Sequence, residues 1–233
     1  MENKMIVANL KNYMNYPDTL MYLNEIKDIK DDVIFIPSNI YLTLFKGFNL
    51  GVQDISYLNE ITTGEITASL VKSMGINYVM ISHNERLINL NETTDIINKK
   101  IDNALHNDLK VIFCVGEIEK CDFDIACNII LNRLKETIFK IDESKIKNII
   151  IAYEPFYAIN SGVTQDILFT QKIVKFIKKS IFDRFNTEIS VLYGGSVSDD
   201  NIESLKTLEV DGFLIGKAST KSISLKNVVR SIR

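Results

Sequence analysis

Short apolar runs alternate with longer amphipathic stretches from one end of the chain to the other. The runs are Met5–Leu10, Val33–Pro37, Leu50–Ile55, Asn77–Ser82, Lys110–Val115, Asn148–Tyr153, Ile189–Tyr193 and Gly212–Ile215. Each is too short for a typical helix and rich in β-branched residues, so each reads as a strand. Their side chains are apolar throughout instead of alternating with polar ones, as strands covered on both faces require. Between them, Thr19–Ile29, Thr93–Asn107, Phe123–Ile141, Asp166–Phe185 and Asp199–Thr207 show helical spacing. Strand–helix alternation of this kind builds a parallel sheet. Closure into a (βα)8 barrel is the economical arrangement, and an open doubly wound sheet is the alternative. No Ser/Gly/Pro-rich linker or charge block divides residues 1–233, so one domain is expected.

Helix ends carry their own signals. Pro17 sits where a first turn tolerates proline, and Ser198-Asp199-Asp200 reads as an acidic helix start. Lys226, Arg230 and Arg233 read as the solvated face of a C-terminal helix.

Composition narrows the class. A net charge of −3 with 24% charged and 46% hydrophobic residues suits a soluble globular protein and gives no footprint for nucleic acid or lipid. The apolar run at the start is too brief for a signal peptide, and no stretch is long enough to span a bilayer. The three cysteines, Cys114, Cys121 and Cys127, lack CxxC spacing and are expected to be reduced thiols of a cytoplasmic protein. With only two histidines, a His-rich metal site is not expected.

Barrels place their chemistry at the carboxyl ends of the strands. The run ending Ala152-Tyr153-Glu154-Pro155 delivers one carboxylate to that edge with a hinge directly after it. Burying an unpaired charge is costly, so Glu154 is the first candidate for a catalytic base. Asn9 and Lys11 end the first strand on one side, and Lys11 could hold a phosphate or an enolate oxygen. His83 follows the fourth strand; at a helix start it would stay neutral and offer an N–H to a carbonyl. Glu85 and Arg86 read as supporting members of an ion-pair network, and His106 as a helix-end surface residue. Cys114 reads as structural. Gly194-Gly195-Ser196 and Gly216-Lys217 end strands seven and eight, where backbone amides commonly cradle phosphate. Asp54–Glu65 forms a long loop, mobile on the surface or projecting into a partner subunit.

Taken in order, Ala8-Asn9-Leu10-Lys11, Ser82-His83-Asn84-Glu85-Arg86, Ala152-Tyr153-Glu154-Pro155, Tyr193-Gly194-Gly195-Ser196 and Asp211-Gly212-Phe213-Leu214-Ile215-Gly216 resemble the triosephosphate isomerase family across essentially the whole chain. The resemblance implies a TIM barrel that interconverts dihydroxyacetone phosphate and D-glyceraldehyde 3-phosphate without a cofactor. It implies Glu154 as base, His83 as proton donor and shuttle, Lys11 as fixed positive charge, and Asn9 as an orienting group. Pro155–Thr164 would be a lid placing an amide of Asn160 or Ser161 on the phosphate, with Ser196, Gly216 and Lys217 completing the cradle. Glu85 would support Lys11 and His83, and Thr63 would reach into the partner of a homodimer.

The pattern departs from the family at Ala8, Leu10, Asn84, Tyr157, Asn160, Val163 and Lys217, which bears on the lid and the phosphate loop and leaves the acid–base set in place. Positive φ at Lys217 would be strained. Rival readings are a different phosphate-binding barrel enzyme, a Schiff-base aldolase using Lys11, and a homologue that binds without turnover. The first generally wants metal-binding histidines that this chain lacks. The second leaves Glu154 unexplained, and the third leaves the retained Asn9, Lys11, His83 and Glu154 unexplained.

Overall fold

The computed structural model describes residues 4–159 and 166–233. Eight parallel strands close into a barrel in sequence order, each paired with its neighbours and β1 paired with β8. They are β1 (Met5–Asn9), β2 (Ile34–Ile36), β3 (Asn49–Val52), β4 (Tyr78–Ile81), β5 (Lys110–Val115), β6 (Ile149–Tyr153), β7 (Val191–Tyr193) and β8 (Gly212–Ile215). Closure removes the open-sheet alternative. The helices are α1 (Tyr16–Glu25), α2 (Ala68–Ser73), α3 (Asn84–Asn89), α4 (Thr94–His106), α5 (Phe123–Glu136), α6 (Ile167–Phe185), α7 (Ile202–Leu205) and α8 (Ser222–Ile232), with short 3-10 turns between several of them. Among the described residues no helix is long and apolar enough to cross a membrane.

The core has two layers because strand side chains alternate in direction. Val7, Ile36, Met80, Ile112, Cys114, Ile150, Ala152, Leu192 and Leu214 pack together inside the barrel. Ile6, Ala8, Phe113, Ile151, Tyr153, Tyr193 and Phe213 face outward and are sealed by the helices. This two-sided burial is why the strand sequences carry no polar alternation.

Helix ends follow local chemistry. Asn15 caps α1 through its side chain and Pro17 occupies the first turn, as its fixed φ allows. Thr67, Thr93 and Asp166 cap α2, α4 and α6 in the same way. The expected start at Ser198-Asp199-Asp200 is displaced: α7 begins at Ile202, and Asn201 Oδ1 accepts the Ser198 N–H at 2.9 Å. Asp199 instead accepts from Ser224 at 2.5 Å and Asn227 at 3.3 Å, tying this loop to α8. Lys226 of α8 pairs with Asp28, and Arg233, directly after the helix, pairs with Asp32. His106 closes α4, exposed, as the sequence suggested.

Candidate active site

The inward register of the strands, carried one step past their ends, delivers the polar groups. In β1 the series Met5, Val7, Asn9 leads to Lys11; in β6, Ile150 and Ala152 lead to Glu154; in β7 and β8, Leu192 and Leu214 lead to Gly194 and Gly216. Asn9, Lys11, His83, Glu154, Ser196, Gly216 and Lys217 line one cavity of about 260 Å³ at the carboxyl end of the barrel. Glu85 lines the adjoining hollow beside Lys11 and His83. Of the remaining expected positions, Asn160 and Ser161 lie outside the described residues. Thr63 is exposed in the β3–α2 loop, apart from the cavity, in a turn closed by the Glu65 N–H on the Thr62 carbonyl at 3.2 Å.

Glu154 is 4% exposed, and its Oε2 accepts no hydrogen bond among the described residues. That oxygen lies 3.8 Å from His83 Nε2, beyond hydrogen-bond reach. His83 caps α3, and its Nδ1 accepts the Glu85 N–H at 3.3 Å. An accepting Nδ1 carries no proton, so the proton of the neutral ring resides on Nε2, facing Glu154. Lys11 Nζ pairs with the Glu85 carboxylate, whose other oxygen is 3.8 Å from His83 Nδ1.

Backbone strain concentrates here. Positive φ at Asn91, Asp108 and Asn186 falls on residue types that tolerate it. Lys11 (φ 46°), Ser82 (φ 67°) and Ser196 (φ 54°) have no such tolerance, and all three sit at strand ends around the cavity. Each such conformation costs about 1–3 kcal/mol and persists because its surroundings enforce it. The Lys11 N–H donates to Asn9 Oδ1 at 3.2 Å, and its carbonyl accepts from Gln53 at 2.8 Å. Ser196 donates to the Ala158 carbonyl and accepts from Asn201 Nδ2 at 2.7 Å. Ser82 Oγ accepts from Arg133 at 3.3 Å. Lys217 is not among the positive-φ residues, so its backbone carries no such strain.

Other residues support the site, some singled out from the sequence and some not. Asn84 donates its amide to the Glu154 carbonyl at 3.2 Å. Gly116 backs the same carbonyl so closely that an added Cβ would lie 2.0 Å from it. Cys114 is buried, and its thiol is pushed up by burial and then by the adjacent Glu154 charge, consistent with a structural thiol. Glu117 is fully buried and accepts from the Tyr153 hydroxyl at 2.9 Å, and burial pushes its carboxyl up. Arg86 joins Asp54 at 2.7 Å and Glu92 at 3.3 Å, the network its sequence position suggested. Period-two register could have flagged Gln53, which continues β3 inward after Gly51. The contacts of Asn84, Gly116 and Glu117 are tertiary, and no local pattern announces them.

A larger hollow of about 670 Å³ opens at the amino ends of the strands, lined by Met5, Lys110, Lys147, Lys178 and Asp211 among others. Lys178 is already paired with Asp211 at 2.9 Å, and Lys110 and Lys147 are exposed. Convergent buried polar groups, not volume, mark the site, and these lie at the opposite end.

Comparison with known proteins agrees with this geometry. Residues 4–232 match the family model described as triosephosphate isomerase. The chain is 35% identical to the triosephosphate isomerase of Flavobacterium psychrophilum over 250 aligned positions covering all of both proteins. It is 32% identical to that of Orientia tsutsugamushi, with 98% of each covered, and 34% identical to that of Dictyoglomus turgidum, with 99% and 100% covered. A match of this length and identity, on a closed barrel with these groups at its mouth, means that the chain belongs to the triosephosphate isomerase family.

Proposed function

We propose that this single-domain barrel interconverts dihydroxyacetone phosphate and D-glyceraldehyde 3-phosphate, with Glu154 as the base. The observation that carries the reading is Glu154 Oε2, buried without a hydrogen bond among the described residues and facing His83 Nε2 across a gap of 3.8 Å. The carboxylate takes a proton from the carbon beside the carbonyl, an enediolate forms, and the proton returns to the neighbouring carbon. Ketose becomes aldose with no atom gained or lost, so the step needs no redox partner. His83 donates from Nε2 to the developing oxyanion and moves the hydroxyl proton. A glutamate base paired with a neutral histidine is the established arrangement of this family, and a His83 Nδ1 that accepts the Glu85 N–H is compatible with it.

Lys11 adds fixed positive charge beside the oxyanion, positioned by Glu85, and Asn9 orients the substrate oxygens. Backbone amides of Ser196, Gly216 and Lys217 hold the phosphate at the edge of the same cavity. Asn160 and Ser161 keep the part the resemblance assigns them, as amide donors to that phosphate. A coupled assay on purified protein tests the reading. Turnover inhibited competitively by 2-phosphoglycolate is expected, and activity no higher than that of Glu154→Gln overturns it.

A homodimer and a cytoplasmic location belong to the same proposal. Tyr13, Tyr16, Ile40, Ile61, Ile88 and Leu90 are all exposed, and they come from the four connections that follow β1 to β4. Exposed apolar side chains of this size favour burial against a second copy. Thr63 sits in the β3–α2 loop, at the residue before Gly64 (φ 87°) in an exposed turn. Thr63→Arg is expected to shift sedimentation from dimer toward monomer, and an unchanged profile counts against this loop as an interface.

A further inference from the structure

A second cavity, of about 320 Å³, lies behind the wall that carries the catalytic groups, between the end of β5, α3 and α5. Asn84, Leu87, Cys114, Ile118, Ile129 and Arg133 line it. Arg133 is the only cation among its lining residues, and it is half-buried. Its guanidinium donates weakly to two hydroxyls, Thr94 Oγ1 at 3.4 Å and Ser82 Oγ at 3.3 Å. Among the described residues no carboxylate forms an ion pair with it. Burial pulls the guanidinium below its ordinary value, with Glu136 and Glu92 acting in the opposite direction without touching it.

A guanidinium has five N–H donors, and a partly desolvated one without a direct ion pair is costly even with the Glu136 charge in the same wall. Leu87, Ile118 and Ile129 give one side of the wall an aliphatic character, and Asn132 and Glu136 complete it. Bidentate recognition of a planar carboxylate is what a guanidinium does best. The back of this wall is also the support of the reaction site. Ser82, which Arg133 contacts, holds φ 67° immediately before His83. Asn84 holds the Glu154 carbonyl, and Cys114 neighbours the Glu154 side chain.

We propose that this cavity is an effector site for a small carboxylate with a short branched aliphatic body, held by Arg133, whose occupancy lowers turnover. Drawing the guanidinium onto the ligand removes its bond to Ser82 and loosens the strained turn that aims His83. The reacting cavity itself stays open, so the ligand does not compete with substrate.

Isovalerate is the probe, and its neutral amide, isovaleramide, is the control. Calorimetry should show one saturable isovalerate site per chain, undisturbed by saturating 2-phosphoglycolate, with no binding of the amide. Saturation should lower kcat while leaving KM unchanged. Arg133→Met should weaken binding by at least about tenfold, from the loss of charged hydrogen bonds. Ile118→Trp, at a position 51% exposed, should block the cavity without disturbing the fold. Equal binding of the amide, displacement by 2-phosphoglycolate, an unaltered kcat at saturation, or unaltered affinity in both variants would overturn the proposal.

Discussion

Glu154→Asp should lower kcat by about a hundredfold or more while leaving KM close to the parent value. Shortening the side chain by one methylene withdraws the carboxylate by about 1 Å, and rates fall roughly a hundredfold for a misplacement of that size. Nothing else in the surroundings moves to compensate. Glu154 is enclosed by Gly116, Gly194 and Cys114, and an added Cβ at Gly194 would meet the Glu154 Cγ at 2.7 Å. Its backbone is held by the Asn84 amide and by its own N–H on the Val115 carbonyl at 2.9 Å. The base therefore cannot advance to recover the lost reach.

Glu154→Gln removes basicity altogether and should cost about 10³-fold, within the range for a lost general base. An interaction made only in the transition state lowers kcat and kcat/KM together, which steady-state kinetics separates from a binding defect. Full turnover in Glu154→Asp would show that the base is some other group.

The strands were legible because double-sided burial writes itself as uninterrupted apolar runs, and the eight runs match the observed strands to within a few residues at each end. The chemistry at their carboxyl ends was legible for the same reason: in a barrel, a polar residue one inward step past an apolar run faces the cavity. Lys11 and Glu154 are both found this way. The short α2, the 3-10 turn over Asn39–Phe45 and the true start of α7 were not legible. Segments of that length carry too few residues to display a period. Asp199 illustrates the limit. Its position suggests a helix start, yet its partners are Ser224 and Asn227, on a helix whose approach only the closed barrel dictates.

Lys100 is the clearest case of a role hidden from the sequence, and the largest stability effect is expected there. Within α4 it reads as one more polar residue of an amphipathic helix, yet it is 3% exposed. Its Nζ meets Asp54 at 2.5 Å and Glu92 more closely still, and Arg86 contacts the same two carboxylates. Two cations thus offset two carboxylates in a largely dry setting. Burial pushes the Asp54 carboxyl up to about 6, against the pull of Lys100 and Arg86. Lys100→Met keeps the aliphatic stem and removes the charge, leaving the carboxylates with Arg86 alone. Breaking a buried pair from one side costs about 3–5 kcal/mol, because the abandoned charge stays buried. Denaturant unfolding should show that loss at neutral pH.

The pH dependence fixes the cause. A carboxyl whose folded value lies above its unfolded value contributes stability below the unfolded value and loses it as pH rises through the folded one. For Asp54 in the parent protein that window runs from 3.8 to about 6. Without Lys100 the carboxyl rises further, so the deficit of the variant should shrink as pH falls toward the acid end of the window. Adding Asp54→Asn to Lys100→Met should recover part of the loss at pH 7. A deficit that neither acid nor the second substitution relieves would mean that Lys100 stabilises α4 by packing and not by charge.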